Sequence, residues 1–358
     1  EFGIKKRNPV VVTIREVAKE SGFSSTTVSI VLNNAPLARY IPDATKNRIR
    51  RAAHKLGYRP NVFARTLRNQ RTRTVGVMVF DMTDPYCTPI LRGIECALYQ
   101  ASFLPILTDV HNERCRFERY LETLLDRRVE ALIVVANWLF VNIDVLGDLE
   151  KNNIPTAMIG RELQAGSVSS VIVDNELGAQ AAIEHLFSLG HRQIAFLRGP
   201  RHIADTAPRW NGIRNFAKAH GLQIDADLVF DLPGSGNPLS GFEAGCSLTE
   251  ELVRRKRQFT ALMAFDDMTA FGAIRTLTNC GIRVPEQVSV IGFDDIAHSS
   301  LLTPALTTVR QPMPEMGEMA VSIVAESISA LREKRRLAAM HRKLLPQLVV
   351  RDSTCSPL

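Results

Sequence analysis

The chain has 358 residues, 45% of them hydrophobic, 44 Lys+Arg against 37 Asp+Glu, and a mean hydropathy of −0.02. That length suits two or three domains, each with its own core, and no apolar run reaches the roughly 18 residues of a membrane helix. Six cysteines, at 87, 96, 115, 246, 280 and 355, form no CxxC pair and no metal spacing with histidine, so neither a disulfide framework nor a zinc module is expected.

The first elements fall at residues 11–60. Thr13 and Glu16 are spaced as a capping box at a helix start, with apolar Ile14, Val17 and Ala18 on one face. Ser21-Gly22-Phe23 closes that helix. Ser24 is placed to cap a second helix over 25–33, and a third runs from about Asp43 to Leu56. In the third, Ile49, Ala52, Ala53 and Leu56 point inward and Gly57 is the stop. Two short helices joined by a Gly-containing turn read as helix-turn-helix.

Charge says what this unit faces. Residues 1–75 carry 16 Lys+Arg against 4 Asp+Glu, a net of +12, while the remaining 283 residues carry a net of −5. The basic balance therefore belongs to an arm suited to polyphosphate, attached to a mildly acidic body. A solvated basic tail would lack the apolar periodicity and caps seen here.

After Arg73 short apolar runs alternate with helical segments. Thr74–Phe80, Ala131–Val135, Pro155–Ile159, Val171–Asp174, Gln193–Leu197, Ala261–Phe265 and Val288–Phe293 read as buried strands. Phe117, Leu121, Leu124 and Leu125 mark a helix between the first two. Such alternation predicts βαβ units in doubly wound sheets, and about ten strands are too many for one, so two Rossmann-like lobes are expected.

Enzyme motifs are missing. There is no GxxxxGK[ST], HExxH or GxSxG, and Gly234-Ser235-Gly236 lacks the spacing and strand context of a phosphate loop. His185 and His191 flank a helix end and read as structural. The Arg254-Arg255-Lys256-Arg257 run reads as a solvated helix end. Polar chemistry gathers instead at strand ends: Asp174, Asp266 and Asp294 each follow an apolar strand, Arg209 begins a helix, and Tyr86 follows the first strand. Carboxylates and an arginine can hold a polyol's hydroxyls in an oriented array, with the tyrosine against its apolar face. A strand-end aspartate serves equally well as a helix cap, so each of these has two readings.

The segments Thr13–Ala18, Thr27–Asn33 and Gly57–Arg68 resemble the lactose-repressor (LacI/GalR-type) family of bacterial transcriptional regulators. The resemblance continues through Val173-Asp174-Asn175, Gly190–Ala195, Ile291–Asp295 and Thr303–Val309, in the family's order and spacing. It implies an N-terminal all-α helix-turn-helix domain (11–60), a hinge (61–72) and a periplasmic-binding-protein-like α/β core (73–358). Lobe one is then expected at 73–174 and 312–340, and lobe two at 175–311 and 341–358.

On the same resemblance, Ser25, Thr26 and Ser29 enter the major groove, Thr13, Ser24 and Asn33 touch phosphates, and Thr27 and Ile30 lie on the reading helix. Asn61, Ala64, Arg65, Leu67 and Arg68 form a two-turn hinge helix, too short to stand alone in water, that puts Leu67 as a wedge into the minor groove. Tyr86, Cys87, Asp174, Arg209, Asp266 and Asp294 match the family's effector contacts. Two departures appear in the effector set. Cys87 stands where relatives often carry an aromatic, and Ile203 and Asp205 stand where a purine-binding relative has Arg and Thr, which favours a sugar, sugar acid or polyol.

The expected protein is a cytoplasmic, homodimeric repressor of pseudo-palindromic double-stranded operator DNA, controlled by a sugar-like effector between the lobes. No cofactor, metal, catalytic residue or membrane partner is expected. No apolar heptad follows Val350, which favours a dimer over a tetramer. A solute-binding protein fits the core but not the basic helical unit, and a nucleotide-dependent enzyme fits the sheets but finds no phosphate loop. The N-terminus shows no export signal.

Overall fold

The computed structural model describes residues 12–58, 71–136, 154–162, 168–201, 203–234, 239–335 and 337–358. The hinge residues Asn61, Ala64, Arg65, Leu67 and Arg68 lie outside the described residues, as do Ser235 and Gly236. Two compact units emerge, Glu1–Thr72 and Arg73–Leu358.

In the first unit α1 spans Ile14–Ser21, α2 Ser25–Leu32 and α3 Asp43–Lys55. The Glu16 carboxylate accepts from the Thr13 backbone N–H at 2.6 Å and from its hydroxyl at 3.0 Å, which closes the start of α1. Gly22 ends α1 at φ +76°, a conformation that strains any residue bearing a Cβ. Ser24 Oγ accepts from the Thr27 N–H at 3.1 Å and caps α2. Val17, Val28 and Ile49, one from each helix, are fully buried and make the core with Ala18, Val31, Ala52 and Ala53. Ile14 and Leu56 are only half-buried. A 3-10 turn over Pro36–Tyr40, which no sequence pattern announced, joins α2 to α3.

The second unit holds two six-stranded sheets. The first contains β1 (Thr74–Val79), β2 (Leu104–Asp109), β3 (Ala131–Val135), β4 (Thr156–Ile159), β5 (Val168–Val173) and β11 (His341–Leu344). The second contains β6 (Ile194–Arg198), β7 (Val229–Asp231), β8 (Ala261–Met263), β9 (Ser289–Asp294), β10 (Thr307–Arg310) and β12 (Gln347–Val349). Spatial orders are β11-β5-β4-β3-β1-β2 and β12-β10-β9-β8-β6-β7, and all pairs are parallel except β10 with β12. Each lobe is thus the same doubly wound unit, its first strand between its second and third, closed by one strand from the chain's end. Residues such as Val75, Val77, Ile133 and Ala157 in the first sheet, and Ala195, Leu262 and Val290 in the second, are buried as near-continuous apolar runs because helices cover both faces.

Seven helices of this unit are described: α4 (Cys87–Gln100), α5 (Arg114–Asp126), α6 (Asn175–Ser188), α7 (Thr206–His220), α8 (Leu239–Arg254), α9 (Asp267–Asn279) and α10 (Met313–Arg332). The chain crosses between lobes after β5, after β10 and between β11 and β12. The last crossing corrects an expectation. Residues 341–344 were expected in lobe two, but β11 pairs with β5 in lobe one, with Asp174 N–H donating to Leu344 C=O at 2.9 Å. His341-Arg342-Lys343 is charged and exposed, so no apolar period marked it as a strand. β2, β7 and β12 are short or partly exposed and β10 is short with two buried threonines, so none of them shows an unbroken apolar run.

Candidate functional site

In the helical unit, Thr13, Ser24, Ser25 and Thr26 are exposed, and Thr27, Ser29, Ile30 and Asn33 are half-buried. Several already have partners. Asn33 Nδ2 donates to the Ser29 C=O at 2.9 Å and to its Oγ at 3.1 Å, and the Ser24 and Thr27 hydroxyls lie 2.9 Å apart. These bonds stiffen the polar face of α2 and leave Ser25 and Thr26 as its exposed hydroxyls. Among the cations, Lys55 pairs with Glu20 at 2.7 Å and Lys46 with Asp43 at 3.0 Å, while the Arg48 guanidinium lies 5.5 Å from the Phe23 ring centre.

In the two-lobed unit, a cleft opens where the carboxyl ends of the strands meet, the usual ligand position in open α/β sheets. Its lining comes from the loop after β1 (Asp84, Pro85, Tyr86), from the start of α7 (Asp205, Arg209), from the β8–α9 turn (Phe265, Asp266, Met268) and from the ends of β9 and β10 (Asp294, Ile296, Gln311).

Arg209 organises this site and is almost wholly buried. Its Nε donates to Asn175 Oδ1 at 2.8 Å and one terminal nitrogen to the Phe265 C=O at 2.6 Å. The other terminal nitrogen lies 3.6 Å from Asp205 and 3.7 Å from Asp294. Phe293 and Phe265 place ring centres 3.6 and 4.7 Å from its central carbon. The helices allow this because Gly212 brings α7 against α6: a Cβ there would stand 2.2 Å from the Glu176 carbonyl oxygen. Asn175 Nδ2 in turn donates to Asp205 at 2.9 Å, so Asn175, Asp205 and Arg209 form a buried triangle of two side-chain hydrogen bonds and one ion pair.

Asp294 ends β9 at φ +122° and Asp295 follows at +59°, strained values for residues with side chains. The turn is held by Asp295, which accepts from Arg310 and Arg351 at 2.6 Å each, and it leaves Asp294 in the cleft, accepting from Gln311 Nε2 at 2.6 Å. Burial pushes the Asp294 carboxyl well above the usual range, outweighing the opposing pull of Arg209. Burial raises Asp205 likewise, and lifts Asp84 to about 6, helped by the charges of Asp266 and Asp81.

Of the sequence-predicted effector residues, Tyr86, Arg209, Asp266 and Asp294 come together in the cleft. Cys87 and Asp174 do not line it. Cys87 opens α4 with its side chain turned into the core, and Asp174 accepts from the Leu177 N–H at 3.1 Å as the cap of α6 and lies 3.6 Å from Lys343. Asp266 meets both of its readings, since it lines the cleft and accepts from the Thr269 N–H at 2.7 Å. Asp84, Asn175, Phe265, Met268 and Gln311 were missed. Asn175, which follows the strand-end Asp174, and Phe265, which precedes the strand-end Asp266, sat beside a sequence signal.

Residues 13–61 match the model for bacterial regulatory proteins of the lacI family, and residues 183–354 match the periplasmic binding protein-like domain. An HTH-type transcriptional repressor PurR from Aliivibrio fischeri (strain ATCC 700601 / ES114) is 32% identical over 353 residues, covering 97% of this chain and 100% of its own. The lac repressor dimer bound to operator and an anti-inducer superposes with a TM-score of 0.79 at 26% identity, over 96% of this chain and 99% of that one. A transcriptional regulator CelR–cellobiose complex gives a TM-score of 0.70 at 27% identity over the same shares.

Proposed function

Because the chain belongs to the lacI family of bacterial regulatory proteins, we propose that it is a transcriptional repressor whose operator affinity is set by a small effector in the interlobe cleft. One observation carries the reading: a single chain joins a basic helix-turn-helix to a two-lobed core with a polar cleft at its strand ends. The groups in that cleft hold hydrogen bonds rather than activate a nucleophile, and the relatives are repressors rather than enzymes. Among the described residues no helix is long and apolar enough to cross a membrane, and DNA as the target favours a cytoplasmic site of action. Residues 61–72 are the covalent link, so a change in lobe geometry reaches the DNA-binding unit through them. Fluorescence-anisotropy titration of a selected operator, with and without compounds that raise the melting temperature, tests the coupling. A stabilising compound that leaves operator affinity unchanged would overturn it.

Sequence preference should reflect Ile30. It lies on the reading helix where the family usually carries an arginine, and it has no donor for a guanine edge, though its methyls suit a thymine methyl. Binding-site selection should return a half-site without a fixed guanine opposite Ile30, and Ile30→Arg should install one, worth about 1–3 kcal/mol of discrimination.

The partner of the core is proposed to be a second copy. Leu104 and Leu107 on edge strand β2 are 64% and 46% exposed, Tyr99 at the end of α4 is 79% exposed, and an apolar groove lined by Val77, Leu91, Ile94 and Pro105 lies beside them. The lac repressor relative is itself a dimer on its operator. Leu107→Asp should weaken self-association at least about tenfold, or 1.4 kcal/mol, as read by sedimentation velocity. An unchanged dimer would place the interface elsewhere.

A further inference from the structure

The charges that face the cleft do not balance. Among the described residues Asp84, Asp205, Asp266 and Asp294 line it, against the guanidinium of Arg209. That guanidinium is already engaged on two sides: Asn175 and the Phe265 carbonyl accept from two of its nitrogens, Asp205 and Asp294 lie 3.6 and 3.7 Å from the third, and two phenyl rings crowd its central carbon. A ligand carboxylate or phosphate that reached this guanidinium would, among the described residues, meet four carboxyl groups around it.

The acceptors, by contrast, have capacity left. Among the described residues the Asp84 carboxylate accepts only the Tyr86 N–H, at 2.9 Å, and the Asp266 carboxylate only the Thr269 N–H. A carboxylate offers about four lone-pair sites. Asp84 stands on the first lobe and Asp266 and Asp294 on the second, and Asp84 feels the Asp266 charge across the cleft. Like charges on opposing lobes resist closure, and a positive charge between them would reverse that term. Tyr86, Phe265 and Met268 supply apolar surface for a carbon skeleton.

We propose that the effector is a cation, an amine-bearing sugar or polyol whose ammonium group sits between Asp84 and Asp266, and that sugar acids and sugar phosphates are disfavoured. This rests on the cleft being the effector site and adds the charge of the occupant. The neighbouring titratable and charged groups are Asp81, Tyr86, Asp205, Arg209, Asp266, Asp267 and Asp294.

The test is a matched set on the full chain: D-glucosamine, N-acetyl-D-glucosamine, D-glucose and D-glucuronate, with the galacto counterparts, read by thermal shift and then calorimetry up to about 10 mM. An amine should bind at least about tenfold tighter than its N-acetylated and neutral partners, and the acids should not bind. Asp84→Asn and, separately, Asp266→Asn should each erase most of that preference. Asparagine keeps the shape and, at 266, the helix cap. A neutral or acidic sugar binding as well as the amine, or no amine binding at all, overturns the proposal. If the compound that binds is indifferent to Asp294→Ala, the cleft itself is not the site, and the broader reading falls with it.

Discussion

Arg209→Ala should cost the core about 3–5 kcal/mol and abolish the effector response, because it breaks a buried charge network by removing the cation at its centre. The loss would strand several groups at once. Asn175 Oδ1 and the Phe265 carbonyl lose donors at 2.8 and 2.6 Å, and Asp205 and Asp294 lose the charge that lies 3.6 and 3.7 Å away. The penalty should depend on pH in a definite direction. Burial already holds both carboxyls above their usual range, and without Arg209 they rise further. A carboxyl with a raised folded-state pKa costs nothing below its unfolded value, where both states are protonated, and costs more as the unfolded chain ionises with rising pH. The variant should therefore lose more stability at pH 8 than at pH 5, as measured by urea unfolding of the full chain. Arg209→Lys should fall between parent and alanine, since it keeps the charge but not the planar fork. A pH-independent loss would mean that Arg209 acts by packing against Phe265 and Phe293 rather than by charge.

The sequence made some of this legible and hid the rest, for physical reasons. Caps and apolar spacing marked α1 to α3 because those helices bury one stripe each, and Val17, Val28 and Ile49 are the residues that meet. All seven strands expected in the core are strands, since burial on both faces leaves an unbroken apolar run in the chain. β11 was assigned to the wrong lobe because its His341-Arg342-Lys343 stretch is exposed, so that its place is set by backbone bonds to β5 and not by side-chain pattern. In the cleft, strand-end position found Asp266, Asp294 and Tyr86. It also named Asp174, which spends its carboxylate on α6, and the family pattern named Cys87, whose thiol packs inward. Neither outcome can be read from spacing, because it depends on how each loop turns. Asp84 and Gln311 carry no local signal and acquire a role only when two crossings of the chain bring separate loops to one cavity.

Operator affinity should fall about 10⁴-fold between 50 and 200 mM salt. Residues 1–75 carry 16 Lys+Arg, of which the structure pairs two internally, Lys46 with Asp43 and Lys55 with Glu20, while Arg39 donates to the Tyr40 hydroxyl at 2.6 Å. Arg15, Lys19, Arg50 and Arg51 are exposed, and none makes an ion pair among the described residues. If these four meet phosphate in each of two subunits, a dimer neutralises about eight, which sets a slope of log affinity against log salt of about −7 and gives the fall stated. Arg50→Ala should lower the slope by up to about 2, one for each subunit, and weaken binding to operator and to random duplex alike. Changing Ile30 should instead alter which half-site is preferred while leaving the slope in place, because a base contact releases no counterion. Anisotropy titrations at four salt concentrations on both duplexes separate the two effects. A flat salt dependence would mean that the exposed cations do not face the phosphates, and that the basic character of this unit has another purpose.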